Sequence, residues 1–321
     1  MKREKPFISL VLVAGPQRQR SQRALQSLLD QEAGSELEIL LIDTGNAAAP
    51  LPGADDPRVR SIAARKEQTY VAMRIAAINE AQGDVVAFLE EHAAVLPGWF
   101  NALKQAFRSG NWAGVGCEMH NANPGRGISN AVALMNYMTW TPPALPGSSR
   151  MLPGHNSAYR RDVLLSWHEE LPMLLQSEVL LQWRICESGR QLRVEPSARI
   201  AHLNEGRIAT ICHGYYLWNR CFGSSRARIY QWPLAKKLGR VLGTPLMPFV
   251  RLGKAAIFLL RRSPRRFAKI FLYWPVWLIA WSAAAAGQAM GIVFGPGDAE
   301  NRFGDYELST PRPEPLRRPV P

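Results

Sequence analysis

Two glutamates and a histidine, Glu90-Glu91-His92, follow directly on the apolar run Val85-Val86-Ala87-Phe88-Leu89. A short run of that kind reads as a buried strand, so three metal-capable side chains are delivered at its end. Carboxylate and neutral imidazole both ligate Mn2+ or Mg2+, and imidazole suits Mn2+ better while bringing less charge than a carboxylate. Standing alone, the triplet also reads as a solvated loop. A second apolar run, Leu37 to Asp43, ends in Asp43-Thr44-Gly45-Asn46. That is a polar turn at the carboxyl end of a strand, the place where open parallel sheets bind their ligands.

The elements that must position these residues alternate as an α/β domain. Phe7 to Val13 reads as a buried strand, and Ala24, Leu25, Leu28 and Leu29 then supply helical spacing. A helix is predicted from about Gln68 to Ala81, stopped by Gly83. Val85 to Leu89 makes the third strand. Pro97 opens the helix "PGWFNALKQAF" and Gly110 closes it. After the first strand the sequence is "VAGPQRQR", with one glycine and a proline, so neither the dinucleotide fingerprint nor a P-loop is present. Phosphates then need another counter-charge, and a divalent ion at Glu90, Glu91 and His92 supplies one.

A chain of 321 residues, 47% hydrophobic and 20% charged, has room for one large domain plus an appendage. Its four cysteines have no zinc-finger or CxxC spacing, and no signal-peptide cleavage site follows the N-terminal apolar run. Both point to a reducing, cytoplasmic setting. The net charge of +13 is unevenly placed: between Glu205 and Asp298 no acidic residue occurs, while Lys and Arg recur from Arg207 to Lys269. No nucleic-acid module accompanies this block, and it runs into the uncharged stretch Ile270 to Gly297. A membrane surface accounts for both features, and nucleic acid is not an expected partner.

The uncharged stretch is long enough to cross a hydrocarbon core of about 30 Å, with Trp274, Trp277 and Trp281 suited to an interface. Pro275 is expected to interrupt the helix near its start, which leaves a re-entrant or interfacial pair of helices as a competitor. Arg251 and Lys254 inside an apolar run fit a helix lying among headgroups. A buried helical hairpin of a soluble domain is the third option.

The segments "SLVLV", "LQSLLDQ", "LEILLIDTGN", "RIAAINEAQGDVVAFLEEHAAVLPGWFNAL", "GHNSAYRRDVL" and "EVLLQWRICESGRQLRVEPSARIAHLN" occur in an order that resembles family 2 glycosyltransferases of the GT-A fold, over roughly residues 5 to 230. The resemblance implies a mostly parallel sheet flanked by helices and a nucleotide-sugar donor. It implies that Asp43 contacts the nucleobase and Arg74 the diphosphate. Glu90, Glu91 and His92 stand where the family has Asp-x-Asp, and His202 where many GT-A enzymes have a histidine reaching the metal or diphosphate. His155 and Asn156 fall in the loop lining the donor sugar and acceptor. Ser177-Glu178 replaces the family's Glu-Asp pair, which makes Glu178 the general base, near the start of a helix expected from about Met173 to Ser188 with Leu175, Val179 and Cys186 turned inward. By itself Glu178 is equally a first-turn glutamate favouring the helix dipole. His213, Tyr215, Tyr216 and Trp218 either line the acceptor side or pack an amphipathic helix on the core.

The expected chemistry is inverting transfer of a hexose-like sugar, assisted by Mn2+ or Mg2+, to a glycan or lipid-linked acceptor in envelope polysaccharide synthesis, at the cytoplasmic face of a membrane. The expected organisation is a GT-A domain over 1–230, a basic and apolar membrane-associating region over 231–297, and a flexible tail rich in Pro and Arg over 298–321. Because both motif spellings are altered, a GT-A-like protein that binds nucleotide sugar without catalysis is an alternative. So is a membrane scaffold that binds anionic vesicles but no nucleotide.

Overall fold

The strands that read as unbroken apolar runs lie at the centre of one sheet. The computed structural model describes residues 5–45, 50–64, 68–125 and 127–315. Its strands are β1 (Ile8–Ala14), β2 (Leu37–Asp43), β3 (Val59–Ser61), β4 (Val85–Leu89), β5 (Ala93–Val95), β6 (Trp112–Asn121), β7 (Gly147–Ser149), β8 (Ser157–Arg160) and β9 (Gln191–His202). Its helices are α1 (Arg18–Leu29), α2 (Tyr70–Glu80), α3 (Trp99–Arg108), α4 (Gly127–Tyr137), α5 (Arg161–Leu165), α6 (Leu171–Leu175), α7 (Glu178–Glu187), α8 (Ile208–Ile229), α9 (Leu234–Leu242), α10 (Met247–Arg262), α11 (Pro264–Ala268), α12 (Ile270–Phe294) and α13 (Ala299–Ser309).

The strand order is β3-β2-β1-β4-β8-β6-β9-β5, with β7 beside β9. Strands β1, β2, β3 and β4 run parallel, while β8 is antiparallel to both β4 and β6. Every residue of β1 and β4 is buried, as expected where both sheet faces are covered. Register then fixes the site. Ala14 pairs with Asp43 and Leu12 with Leu89, so the turns after β1, β2 and β4 share one edge. Strand β5 runs antiparallel to β9 with Ala93 opposite His202, and the Leu203 amide donates to the His92 carbonyl at 3.0 Å. Two histidines 110 positions apart are thereby made neighbours.

Several local expectations shift. Gly98, at φ +83°, delays the start of α3 to Trp99. The single helix expected over 173–188 is two, α6 and α7, broken at Gln176-Ser177. Leu175 is buried, but Val179 and Cys186 are only half-buried, because Leu180, Leu181 and Ile185 take the inward face.

The C-terminal helices pack onto the sheet domain. Pro275 does not interrupt α12, which runs continuously from Ile270 to Phe294. Trp277 is fully buried and donates from Nε1 to the Ala131 carbonyl at 2.8 Å; Trp281 is buried as well. Only Trp274 of the three tryptophans is exposed enough to act as an interface anchor. Helix α12 lies against α8 at very short range: a Cβ on Gly291 would meet the Arg220 carbonyl oxygen at 2.0 Å, and one on Gly287 the Tyr216 oxygen at 2.2 Å. Small residues four apart permit this backbone approach. Tyr215 packs with the α12 residues, Tyr216 with Ala299 and Tyr306 of α13, and Trp218 stacks on Phe222 of its own helix.

Two stretches, Leu234–Arg262 and Ile270–Phe294, are long and apolar enough to cross a membrane by length and composition. Within the most apolar part of the first only 11% is buried, against 50% in that of the second, so the larger uncovered apolar surface lies on α9 and α10. Residues 299–315, expected from sequence to be a flexible tail, instead form α13 and an irregular segment folded back over the carboxyl edge of the sheet.

Candidate active site

Glu90, His92 and His202 each offer one ligand atom, all within 4.8 Å of one another and all buried. The tautomer of His202 follows from its neighbours. Its Nδ1 lies 3.1 Å from Asn204 Oδ1, and the Asn204 amide nitrogen donates elsewhere, to Asn121 Oδ1 at 2.9 Å and the His202 carbonyl at 3.2 Å. The Asn204 oxygen is therefore the acceptor and Nδ1 the donor, so in the neutral ring Nε2 is the nitrogen free to ligate. That Nε2 sits 3.0 Å from His92 Nε2 and 3.1 Å from Glu90 Oε2. Burial, with Arg312 adding to it, holds the His92 imidazole well below its ordinary pKa and so in the neutral, ligating form. A proton on His92 could serve one of these contacts; a divalent ion would serve all three, and the donor set fits one.

Asn156 orients Glu90. Its Nδ2 donates to Glu90 Oε2 at 2.6 Å, and its Oδ1 accepts from the Glu90 amide at 3.2 Å. The antiparallel pairing of β4 with β8 places it there. His155, one residue earlier, joins the metal-capable group to the second half of the site: Nδ1 lies 3.7 Å from Glu90 Oε1 and Nε2 3.0 Å from Glu178 Oε2.

Glu178 is clamped between His155 and Arg74, which donates to its Oε1. Burial pushes the Glu178 carboxyl up, but the two cationic neighbours overcome it and hold it down at about 2. Arg74 is itself 1% exposed, over the Phe88 ring at 4.3 Å and near Tyr70 at 5.7 Å, with Nη2 lacking a hydrogen-bond partner among the described residues. A narrow crevice lined by Tyr70, His155, Gln176, Cys221, Glu300 and Phe303 reaches the His155 side of this clamp.

Two of the residues expected at the donor are engaged elsewhere. Asp43 takes a bidentate pair from Arg18, at 2.6 and 2.9 Å, and Asn46 lies outside the described residues. Glu91 points away from the metal-capable group: it accepts from the Gly15 amide at 2.6 Å, from Ser21, and from Arg20 Nε at 2.8 Å. Alternation along the chain puts Glu90 and Glu91 on opposite sides of the strand end, so one reaches the site and the other locks α1 to β4.

The structure adds residues that sequence reasoning missed. Arg20 also donates to the carbonyls of Glu307, Leu308 and Thr310, at 2.8, 2.7 and 2.6 Å. Leu308 lies over Gly15, where a Cβ would meet it at 2.8 Å. Glu307 is buried, with Oε2 3.9 Å from His92 Nε2 and 3.6 Å from Arg312 Nη2. Burial, against the pull of Arg312, pushes its carboxyl up to about 7. Arg312 also meets Glu205 at 3.3 Å, and Tyr306 donates to Glu205 at 2.6 Å. The signal available in the sequence was Phe303, Tyr306 and Leu308 at near-helical spacing, with acidic residues returning after the basic block.

Residues 17–166 match the model of the family described as Glycosyl transferase family 2. Among solved structures, the mannosyltransferase PcManGT from Pyrobaculum calidifontis, in complex with GDP-Man and Mn2+, is similar at 12% identity and a TM-score of 0.54, over 89% of this chain and 87% of that one. GalNAc-T7, crystallised with UDP, GalNAc and Mn2+, is similar at 15% identity and a TM-score of 0.47 over 61% of this chain, and the match spans 42% of that chain's length. No curated protein matches the chain. The α/β architecture implied by the resemblance is thus found: a GT-A sheet flanked by helices, with a family 2 glycosyltransferase match over residues 17–166 and two apolar C-terminal helices.

Proposed function

We propose that this chain, a GT-A fold with a family 2 glycosyltransferase match, moves a hexose from a nucleotide-diphosphate donor to an acceptor hydroxyl with inversion, residues 1–230 carrying the transfer and 231–297 the membrane attachment. One observation carries the reading. The Glu90, His92 and His202 group and the Glu178, Arg74 and His155 clamp meet at the carboxyl edge of the sheet, joined through His155.

Glu90, His92 and His202 would hold Mn2+ or Mg2+, which supplies positive charge for a leaving diphosphate. Arg74 is the chain's own counter-charge and has an N–H to spare. While clamped, Glu178 is ionised but weakly basic. Turning Arg74 toward a diphosphate relieves that, and Glu178 then takes the proton of the attacking acceptor hydroxyl. Asp43 becomes available to a nucleobase once Arg18 releases it. The test is a set of nucleotide sugars presented to the purified chain with Mn2+. UDP or GDP is expected to bind more tightly in metal than in chelator, and a transfer product to form with one donor. Equal binding in both conditions removes the metal from the reading.

The non-catalytic alternative has one observation in its favour: Glu90, His92, His202, Arg74 and Glu178 are all buried beneath the C-terminal segment. It predicts nucleotide binding with no turnover on any acceptor.

The membrane proposal rests on the outer face of α9 and α10. Leu234, Leu238 and Leu242, then Leu246, Phe249, Val250, Ile257 and Leu260, are exposed at helical spacing, with Lys236, Arg240, Lys254 and Arg261 exposed around them. Inserted apolar side chains contribute about 1.5–3 kcal/mol each when fully buried, and salt does not weaken them. Basic residues add about 1 kcal/mol each at an anionic surface, which salt screens. The chain is therefore expected to stay on anionic vesicles through a high-salt wash, and a Leu238→Glu, Phe249→Glu, Ile257→Glu variant to wash off. Release of the unmodified chain by salt alone would show that this face is not inserted. A cytoplasmic-face location and a lipid-linked or envelope-glycan acceptor follow as parts of the same proposal.

A further inference from the structure

Glu307 is the carboxylate that the site described above leaves unexplained. Its side chain is 8% exposed, and its buried Oε2 has no hydrogen-bond partner among the described residues: it lies between Arg312 Nη2 at 3.6 Å and His92 Nε2, of the Glu90, His92 and His202 group, at 3.9 Å. The backbone around Glu307 is held from the other side: Arg20 takes the carbonyls of Glu307 and Leu308, and Gln17 that of Ser309 at 3.3 Å. Those residues lie over Gly15, at the end of β1, where an open sheet of this order binds its nucleotide. An acidic side chain directed at the metal-capable group, followed by backbone laid across the end of β1, reproduces the order of charges and surfaces that a nucleoside diphosphate would present.

We propose that Glu307 is a ligand of the site's divalent metal in the donor-free protein, a placeholder that the donor's diphosphate replaces when the 303–312 segment lifts. The proposal rests on the metal-dependent donor site argued above. Carboxylate oxygen and phosphate oxygen are both hard donors for such an ion, so one can exchange for the other at a coordination position without change of charge type. The Phe303 ring, edge-on to His155 at 6.1 Å, and Tyr306, bonded to Glu205, would leave with the segment and uncover the Glu178 clamp.

The test uses the full chain and Mn2+ as the probe, read by loss of the free-ion EPR signal. Glu307→Gln should weaken Mn2+ binding about tenfold or more without nucleotide. At saturating Mn2+ the same variant should bind UDP or GDP at least as tightly as the unmodified chain, since the competitor is gone. Unchanged Mn2+ affinity shows that Glu307 is not a ligand. A nucleotide affinity that falls together with the Mn2+ affinity shows a permanent ligand and overturns the placeholder role. Amide exchange over 303–312 in the unmodified chain needs no variant: Mn2+ should slow it, and UDP or GDP added with Mn2+ should speed it again. No response to either overturns the proposal. Failure of the unmodified chain to bind Mn2+ and nucleotide at all would instead sink the donor-site reading itself.

Discussion

Glu178→Gln is expected to lower glycosyl transfer by about 10²-fold or more, with nucleotide affinity held or slightly improved. The substitution removes the proton acceptor, while the amide oxygen can still accept from Arg74, so the buried guanidinium keeps a hydrogen-bond partner although it loses the carboxylate charge. Freed of a full ion pair, Arg74 meets a diphosphate at lower cost. The variant should therefore separate kcat from donor binding, which an unfolded or distorted protein would not do. Removing one partner of a buried pair costs about 3–5 kcal/mol when the other charge is stranded, so Glu178→Ala should melt well below Glu178→Gln. Near-normal turnover in the glutamine variant would remove Glu178 from the chemistry and leave the clamp as a structural device.

His202→Ala should cost about 10²-fold or beyond in metal affinity, because it deletes one of three converging ligand atoms. Asn204→Ala tests the argument behind it. Asn204 touches no metal position, yet it fixes the proton on His202 Nδ1, and losing an orienting partner of that kind costs about 10- to 100-fold. Mn2+ binding followed by calorimetry ranks the variants. If Asn204→Ala binds Mn2+ as the unmodified chain does, His202 does not need that tautomer and the ligand assignment fails.

Much of the sheet was legible in the sequence because its strands are short and covered on both faces. The runs 37–43 and 85–89 emerge with their expected limits, and their ends locate Asp43 and Glu90. His202 was legible only through resemblance, since the pairing of β5 with β9 that brings it to His92 is a contact between distant segments and leaves no local pattern. Glu91 shows the limit of reading a triplet as a unit. Adjacent residues at a strand end diverge, and the arginine that claims Glu91 lies 71 positions away. The C-terminal segment was missed for a different reason. Its prolines and arginines look like a solvated tail until Arg312 is found inside, 2% exposed, against Glu205 and Glu307. Long-range charge pairing of this kind has no period to detect. In the apolar helices the pattern announced membrane-like composition but not which face is covered. Gly287 and Gly291 decided that by admitting α8 so closely that much of α12 turned inward.

The bonds from Arg20 to the carbonyls of Glu307, Leu308 and Thr310 also set a timetable for how the protein is made. Arg20 and Thr310 are 290 positions apart, so at about 5–20 residues per second a ribosome adds the second some 15 to 60 s after the first. Until then the edge that will hold Glu90 and His92 stands without its roof, and of the partners described above Arg20 can meet only Glu91, itself made 71 positions later. The nascent chain thus meets the ions around it before its crevice closes. Closure of the site therefore cannot precede the last stretch of synthesis, however early the sheet forms.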